Sequence, residues 1–212
     1  VNIASFPALD YACSEAMNTL CTNLFYCGVN IKSILFTSRY EQEGKSCIVM
    51  NVMRTLASYG KRVVLVDADL RCSALARRYR FTYEQKKAPG LAQYLAGMCT
   101  LDEALYRTNL SGAYILPAGR EVLNSMQLLA SARYAEMMNY LRAHFDVVLV
   151  DTPPAGMIVD ALEIAKYCDG AIIIVGYNKG RGQDIGEVAA SVAKTGCKVL
   201  GTVMNGVNLK SF

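Results

Sequence analysis

Runs of apolar, mostly β-branched residues recur along the chain, and each ends in polar residues or glycine. They cover residues 33–38, 62–69, 146–154, 170–176 and 198–205, with a weaker run at 113–119. The first four runs are typical of strands that are buried on both faces of a sheet, and the other two complete the set of strands. Segments with helical spacing lie between them, at 45–60, 131–145 and 182–196. This alternation predicts an α/β fold whose central sheet is mostly parallel and whose crossovers are right-handed.

The polar residues that follow these strands are the candidates for function, because ligands of parallel sheets bind beyond the carboxyl ends of the strands. The nine residues R-Y-E-Q-E-G-K-S-C, 39–47, follow the first predicted strand. A phosphate-binding loop reads G-x-x-x-x-G-K-[ST]. Only Gly44, Lys45 and Ser46 fit that pattern, and Arg39 stands where the first glycine belongs. Taken alone, this motif is a weak indication of a nucleotide site.

Three carboxylates strengthen the indication. Asp67 and Asp69 end one apolar run, and Asp151 ends another. A carboxylate at the end of a buried strand is costly to desolvate unless it meets a cation or strong hydrogen-bond donors. Mg²⁺ bound against nucleotide phosphates is such a cation, and a loop hydroxyl such as that of Ser46 is its usual second protein ligand. The alternative is that the carboxylates merely cap the following turns.

Composition excludes several other classes of protein. With 212 residues, of which 53% are hydrophobic, the chain is long enough for a full core, and we predict one domain over 1–212. The net charge of +4 is scattered, so nucleic acid is not an expected partner. Eight cysteines without a C-x-x-C pair indicate a reducing cytoplasm, and the one histidine, His144, has no ligand-like neighbour and borders a predicted helix. We expect the polar segment 82–88 to be a surface connection.

The motifs together resemble one family. The segments T-S-R-Y-E-Q-E-G-K-S-C, V-L-V-D-A-D-L-R and V-L-V-D-T-P-P-A-G-M-I-V-D-A-L are similar to the three motifs of the bacterial tyrosine kinases, or BY-kinases, within the MinD/ParA group of P-loop ATPases. The resemblance runs from about Glu15 to Asn208, and the D-x-D-x-R motif is its most specific part. It implies a three-layer P-loop NTPase fold, with ATP and Mg²⁺ as cofactors.

The resemblance implies contacts of the nucleotide with Gly44, Lys45, Ser46 and Cys47, with Lys45 at the β- and γ-phosphates. Asn205 resembles a position that contacts adenine in the superfamily. An Asn-Gly pair that only forms a turn is an equally good interpretation of that position.

The resemblance also implies the metal ligands and the catalytic residues. Ser46, Asp69 and Asp151 would hold Mg²⁺ directly or through water, and Lys45, Asp67 and Asp69 would be catalytic. Asp67 and Asp69 would share two tasks, which are to orient or deprotonate the acceptor tyrosine and to complete the metal shell. The sequence leaves open which of the two performs which task.

Two residues beside these motifs have alternative interpretations. Arg71 either offsets charge at the site or forms a salt bridge on the following turn. Asp160 fits the segment after the third motif as a residue that begins a helix, or as a switch residue, rather than as a catalyst.

The loop departs from the family pattern at two positions. Glu41 and Gln42 replace a Pro-Gly pair. A non-glycine residue at a position that needs a positive φ costs roughly 1 kcal/mol or more. We expect this cost to weaken nucleotide binding without abolishing it. Tyr40 occupies the place of the lysine that is typical of partition ATPases, which disfavours a MinD/ParA-type ATPase switch.

The N-terminal segment 1–32 is predicted to be helical and to serve in oligomerisation or docking. The family motif E-x-x-R-x-x-R keeps Glu15 here, but Asn18 and Cys21 replace both arginines, so we expect a weakened homo-oligomer. The tyrosine cluster that ends family members does not follow Tyr177, the last tyrosine of this sequence.

The resemblance implies a membrane-anchored polysaccharide chain-length regulator as activating partner, or a fused upstream membrane segment, and a location in the cytoplasm at the inner face of the membrane. We predict an ATP-dependent protein-tyrosine (auto)kinase that regulates capsular or exopolysaccharide polymerisation and export. The alternative is a regulatory module of the same system that is non-catalytic or binds nucleotide weakly.

Overall fold

A computed structural model describes residues 1–6, 8–28, 30–83, 88–179 and 182–207. Most of the predicted surface connection at 82–88 lies outside these residues, as does Asn208. The strands are β1 Asn2–Ile3, β2 Ser33–Ser38, β3 Val63–Asp67, β4 Phe81–Thr82, β5 Tyr106–Arg107, β6 Ala113–Leu116, β7 Val147–Asp151, β8 Gly170–Gly176 and β9 Lys198–Asn205. The helices are α1 Tyr11–Tyr26, α2 Lys45–Ser58, α3 Leu75–Arg78, α4 Leu91–Leu95, α5 Leu101–Ala104, α6 Ser125–Leu129, α7 Ala132–His144, α8 Asp160–Ala165 and α9 Gly182–Ala193.

Seven of the described strands form one sheet in the order β5-β6-β3-β7-β2-β8-β9. All neighbours in it pair in parallel except β5, which is antiparallel to β6. The strands β1 and β4 form a separate antiparallel pair. The predicted α/β fold with a mostly parallel central sheet is therefore confirmed.

Side chains of the sheet alternate between two separate buried clusters. Leu35 belongs to the cluster on one face, whereas Ile34 and Phe36 belong to the cluster on the other. Successive residues of a strand point to opposite faces, so each central strand must be apolar at every position. Helices α1 and α2 contribute to one cluster, and α7, α8 and α9 contribute to the other. The sheet is thus the middle of three layers.

Two of the predicted strands end earlier than the apolar runs suggested. The run 62–69 ends as a strand at Asp67, and the run 146–154 ends at Asp151. Asp69 therefore lies in the loop after β3, where its carboxylate accepts hydrogen bonds from the backbone N–H groups of Arg71 (3.3 Å) and Cys72 (3.0 Å). Such a local carboxylate–backbone contact favours a turn over a continued strand.

The register of the sheet places the first candidate carboxylates side by side. Asp67 is the direct partner of Asp151 across β3 and β7. Strand β2, which leads into the candidate phosphate loop, pairs with β7 on its other side. The predicted motifs therefore lie at one edge of the sheet. None of the helices within the described ranges is long and apolar enough to cross a membrane.

Candidate active site

The loop between β2 and α2 turns into the helix at a glycine whose backbone and surroundings disfavour other residues. Gly44 caps α2 with a φ of 96°. A Cβ atom at this position would lie 1.9 Å from Nδ2 of Asn205. Both the left-handed conformation and the close approach require glycine. The helix that starts at Lys45 directs its first N–H groups and its positive dipole end toward the mouth of the loop, where an anion is favoured.

Glu43 fixes the shape of this loop, and sequence analysis did not single it out. Its side chain is only 2% exposed. One carboxylate oxygen accepts from the backbone N–H of Tyr40 (2.8 Å), and the other accepts from the backbone N–H of Gly176 at the end of β8 (3.0 Å). The sequence did carry a signal for it, because this glutamate matches the family loop pattern whereas Glu41 and Gln42 before it do not.

Asn205 holds the same loop from the other side. Its Nδ2 group donates to the backbone carbonyl of Glu43 (3.0 Å), and its own carbonyl accepts from the N–H of Tyr177 (2.8 Å). The two interpretations of Asn205 from sequence, an adenine contact and an Asn-Gly turn, did not include this contact with the loop. The contact explains why Asn205 and Gly44 approach so closely.

Gln42, one of the two unusual loop residues, adopts the backbone that glycine would have in the family pattern. Gln42 has a φ of 57°, in the left-handed region. Its carbonyl accepts a hydrogen bond from Nζ of Lys179 (3.0 Å). The expectation that this position needs a positive φ is confirmed. Arg39, at the place of the first glycine, forms an ion pair with Glu187 of α9 (3.1 Å).

Asp67 and Asp151 are deeply buried at this edge, with 2% and 3% exposure. Each accepts one hydroxyl hydrogen bond, Asp151 from Ser46 (2.6 Å) and Asp67 from Ser73. The second carboxylate oxygen of each has no hydrogen-bond partner among the described residues. Because unpaired buried carboxylate oxygens are costly, this pair fits a site for a cation or a hydrogen-bond donor.

The protonation equilibria reflect this crowding. Burial raises the pKa of Asp67 well above its usual range, and the neighbouring charge of Asp151 raises it further. Burial also raises the pKa of Asp151 to about 6, although Ser46 and Lys45 oppose the change. Burial lowers the pKa of Lys45, whose Nζ donates to Oγ of Ser38 (3.0 Å). Without a cation the site therefore disfavours two ionised carboxylates.

Arg71, in the loop after β3, and Asp160, at the start of α8, connect these two segments of the site. The Arg71 guanidinium binds both oxygens of Asp160 (2.8 and 2.9 Å), and the hydroxyl of Ser125 donates to the same carboxylate (2.6 Å). Arg71 is thus in a salt bridge, but with a distant residue rather than on the following turn. Asp160 begins α8, as one interpretation predicted.

These elements enclose a cleft of about 620 Å³. It brings together most of the predicted residues, namely Gly44, Lys45, Ser46, Asp67, Asp69 and Asp151. Cys47 and Asn205 do not line it. The volume is within the range of small-molecule sites.

The oxygen ligands of the cleft fit Mg²⁺, which prefers hard oxygen donors. Asp151 and Ser46 lie together, and the second oxygen of Asp151 is unpartnered. Within the described ranges, no group of three or more His, Cys, Asp or Glu residues could hold a metal by itself. This combination suits an ion that keeps water and binds substrate phosphates through one or two carboxylates.

Comparison with known proteins identifies the family. Residues 40–179 match the family described as AAA domain. Over 195 residues the chain is 31% identical to tyrosine-protein kinase CpsD of Streptococcus pneumoniae serotype 4, which covers 92% of this chain and 85% of that protein. The chain belongs to the bacterial tyrosine kinase family.

Solved structures show the same fold for this bacterial tyrosine kinase. The kinase domain of the Escherichia coli tyrosine kinase ETK superposes with a TM-score of 0.86 at 22% identity, covering 92% of this chain and 75% of that one. The septum site-determining protein MinD of Pyrococcus horikoshii, complexed with Mg-ADP, superposes with a TM-score of 0.70 at 24% identity, covering 82% and 69%. The three-layer P-loop NTPase fold is confirmed.

Proposed function

We propose that this chain is an ATP-dependent protein-tyrosine kinase that uses Mg²⁺. The observation that carries the proposal is the pair Asp67 and Asp151, which are partners across β3 and β7 and each keep one unpartnered oxygen. The pair lies in the same cleft as Lys45 and Ser46. The name of the relative CpsD, a tyrosine-protein kinase, supports the choice of tyrosine as acceptor.

The loop residues bind the nucleotide. The N–H groups of Gly44, Lys45, Ser46 and Cys47 would bind the phosphates at the start of α2, and Lys45 would neutralise their charge. Asn205 acts at the nucleotide site by holding the loop through the Glu43 carbonyl. The phosphoryl group and the metal charge that neutralises it come from bound Mg·ATP.

Separate carboxylates would bind the metal and activate the acceptor tyrosine. Ser46 and Asp151 would hold Mg²⁺, with Asp69 completing its shell directly or through water. Asp67 would orient the acceptor tyrosine and accept the proton of its hydroxyl, since it lines the cleft and keeps one unpartnered carboxylate oxygen. Arg71, bound to Asp160, fixes the loop that carries Asp69. Phosphoryl transfer needs this positioning and charge neutralisation more than covalent help from the protein.

We further propose that 1–212 acts as one domain and that its N-terminal segment 1–32 docks other chains weakly. Asn18 is engaged within its own chain, where it contacts Glu15 (3.0 Å) and the hydroxyl of Tyr59 (2.9 Å). Cys21 is fully buried. Neither residue therefore offers the ion pairs that arginines would supply to a neighbouring copy.

A membrane-anchored chain-length regulator, or a fused membrane segment, would place the kinase at the inner face of the membrane in capsular or exopolysaccharide assembly. The alternative function, a regulatory module that binds nucleotide poorly, is favoured by one observation. Gln42 is forced into the left-handed region that glycine occupies freely.

The test measures nucleotide binding and transfer separately. Mg·ATP at about 100 times its Kd stabilises the folded state by about 2.7 kcal/mol, which corresponds to a Tm increase of roughly 5–10 °C for a chain of this size. We expect this increase for the parent and for Lys198→Met, and none for Lys45→Met. Lys198 is the matched control because it is the first residue of β9 and so lies at the amino ends of the strands, away from the cleft at their carboxyl ends.

Phosphate transfer to a tyrosine peptide is then followed with labelled ATP. We expect transfer by the parent and loss of transfer in Asp67→Asn. Binding without transfer to tyrosine would favour the regulatory module. An equal Tm increase in the parent and in Lys45→Met would contradict the assignment of the nucleotide site.

A further inference from the structure

Two arginines on the rim of the cleft have no role in the chemistry described above. Arg77 and Arg78 form the last turn of α3, are exposed, and line the same cleft as Asp67 and Asp69. Neither guanidinium forms an ion pair with any residue in the described part of the chain. Two adjacent unpaired cations at the mouth of an active site are a recognition surface for a negatively charged group.

The other cations of the cleft are committed elsewhere. Lys45 contacts Ser38 at the base of the phosphate loop, and Arg71 is bound by both oxygens of Asp160. Among the described lining residues, Arg77 and Arg78 are thus the cations available to a second ligand. That ligand binds on the side of the cleft where the Asp67 carboxylate lies, because α3 directly follows the loop after β3.

The rim is held in place relative to that carboxylate. Leu75 and Tyr79, on either side of the two arginines, are buried in the core. Just before α3, the hydroxyl of Ser73 donates to Asp67. The guanidinium groups therefore extend from a fixed base close to the acceptor-binding carboxylate.

We propose that Arg77 and Arg78 select acceptor tyrosines that are flanked by anionic residues. The proposal rests on the kinase function proposed above. An extended peptide advances about 3.3–3.6 Å per residue, so side chains one to three positions from the acceptor lie within about 11 Å of it, which long arginine side chains at the rim can reach. The anion is either a carboxylate or the phosphate of a neighbouring tyrosine that has already been modified.

The experiment compares three peptides that differ only beside the acceptor tyrosine, with Gln, Glu or phosphotyrosine as the flanking residue. Each is assayed for kcat/KM with the parent, with Arg77→Ala/Arg78→Ala, and with Lys198→Glu. Both variants change the net charge of the protein by −2, so they change its long-range attraction for an anionic peptide to a similar extent. Mg·ATP affinity is measured for all three proteins.

We expect the parent to prefer an anionic peptide over the Gln peptide by about five- to tenfold, as two exposed ion pairs can supply. The arginine variant should reduce this preference to less than about twofold and leave the Gln peptide and Mg·ATP affinity unchanged, whereas Lys198→Glu keeps the preference. If the parent prefers only the Glu peptide or only the phosphotyrosine peptide, that preference shows whether the recognised anion is a carboxylate or a phosphate. A preference retained in the arginine variant, an equal loss for all peptides, or weakened Mg·ATP binding would overturn the proposal.

A binding measurement keeps this result separate from failure of the kinase function. The same peptides with Phe in place of the acceptor tyrosine are titrated in the presence of Mg·ATP. If no protein phosphorylates any peptide, the proposed activity is wrong, yet tighter binding of the anionic Phe peptides by the parent than by the arginine variant still supports selection at the rim. Equal binding by both proteins would overturn it.

Discussion

Replacing Glu43 by Gln tests whether one buried carboxylate shapes the phosphate loop. The two oxygens of Glu43 accept N–H groups from Tyr40 and Gly176 at 2.8 and 3.0 Å. Glutamine has nearly the same shape but only one accepting oxygen, so one of the two N–H groups would face an NH₂ donor instead. The variant therefore removes one contact between the loop and β8 without creating a cavity.

The expected cost follows from those contacts. A hydrogen bond to a charged group contributes about 1.5–3 kcal/mol, and a buried N–H left without an acceptor costs about 1–3 kcal/mol. Loss of the buried charge relieves part of its desolvation penalty. We therefore expect Glu43→Gln to lower the free energy of unfolding by about 2–3 kcal/mol, which corresponds to a decrease in Tm of roughly 4–12 °C.

The assay is urea unfolding, with Glu41→Gln as the matched control. Glu41 is exposed two residues away in the same loop, so the same chemical change there should alter the free energy of unfolding by less than about 0.5 kcal/mol. Mg·ATP affinity should also fall in Glu43→Gln, because the loop loses its attachment to β8. Equal unfolding midpoints for the two variants would refute the reasoning.

Three further predictions concern other contacts. Asp160→Ala should lower the free energy of unfolding by about 1–3 kcal/mol, because the buried hydroxyl of Ser125 loses its acceptor while the largely exposed Arg71 is solvated by water; a urea midpoint within error of the parent would contradict this. Gln42→Gly should raise the free energy of unfolding by roughly 0.5–1 kcal/mol, since relief of the left-handed conformation exceeds the added chain entropy; a lower urea midpoint would argue against strain. Burial raises the pKa of Asp169, but hydrogen bonds from Ser33 outweigh it and hold the pKa below its usual range. The stability that Asp169 contributes is therefore present above about pH 4 and is lost as pH falls through its lowered pKa, so Asp169→Asn should lose less stability between about pH 5 and 2 than the parent; identical acid unfolding profiles would count against it.

The sequence by itself determined the six longer strands and most of the cleft. The central strands must be apolar at every position because both faces are covered, so their runs stand out without knowledge of their neighbours. Asp67, Asp69 and Asp151 follow those runs directly, and Lys45 and Ser46 follow another. In a parallel sheet the carboxyl ends of strands share an edge, which is why local patterns were enough to bring these residues together.

Only the tertiary structure decided which residues hold the cleft in shape. Glu43 contacts Gly176, Asn205 contacts Glu43, and Arg71 binds Asp160, all between segments that are far apart in the chain. Each of these side chains alone is compatible with a turn, a cap or an exposed surface. Their partners depend on strand order and loop path, which follow from how the whole core packs and have no local signal in the sequence. The cost of burying a charge then selects the few arrangements in which that charge meets donors from another segment.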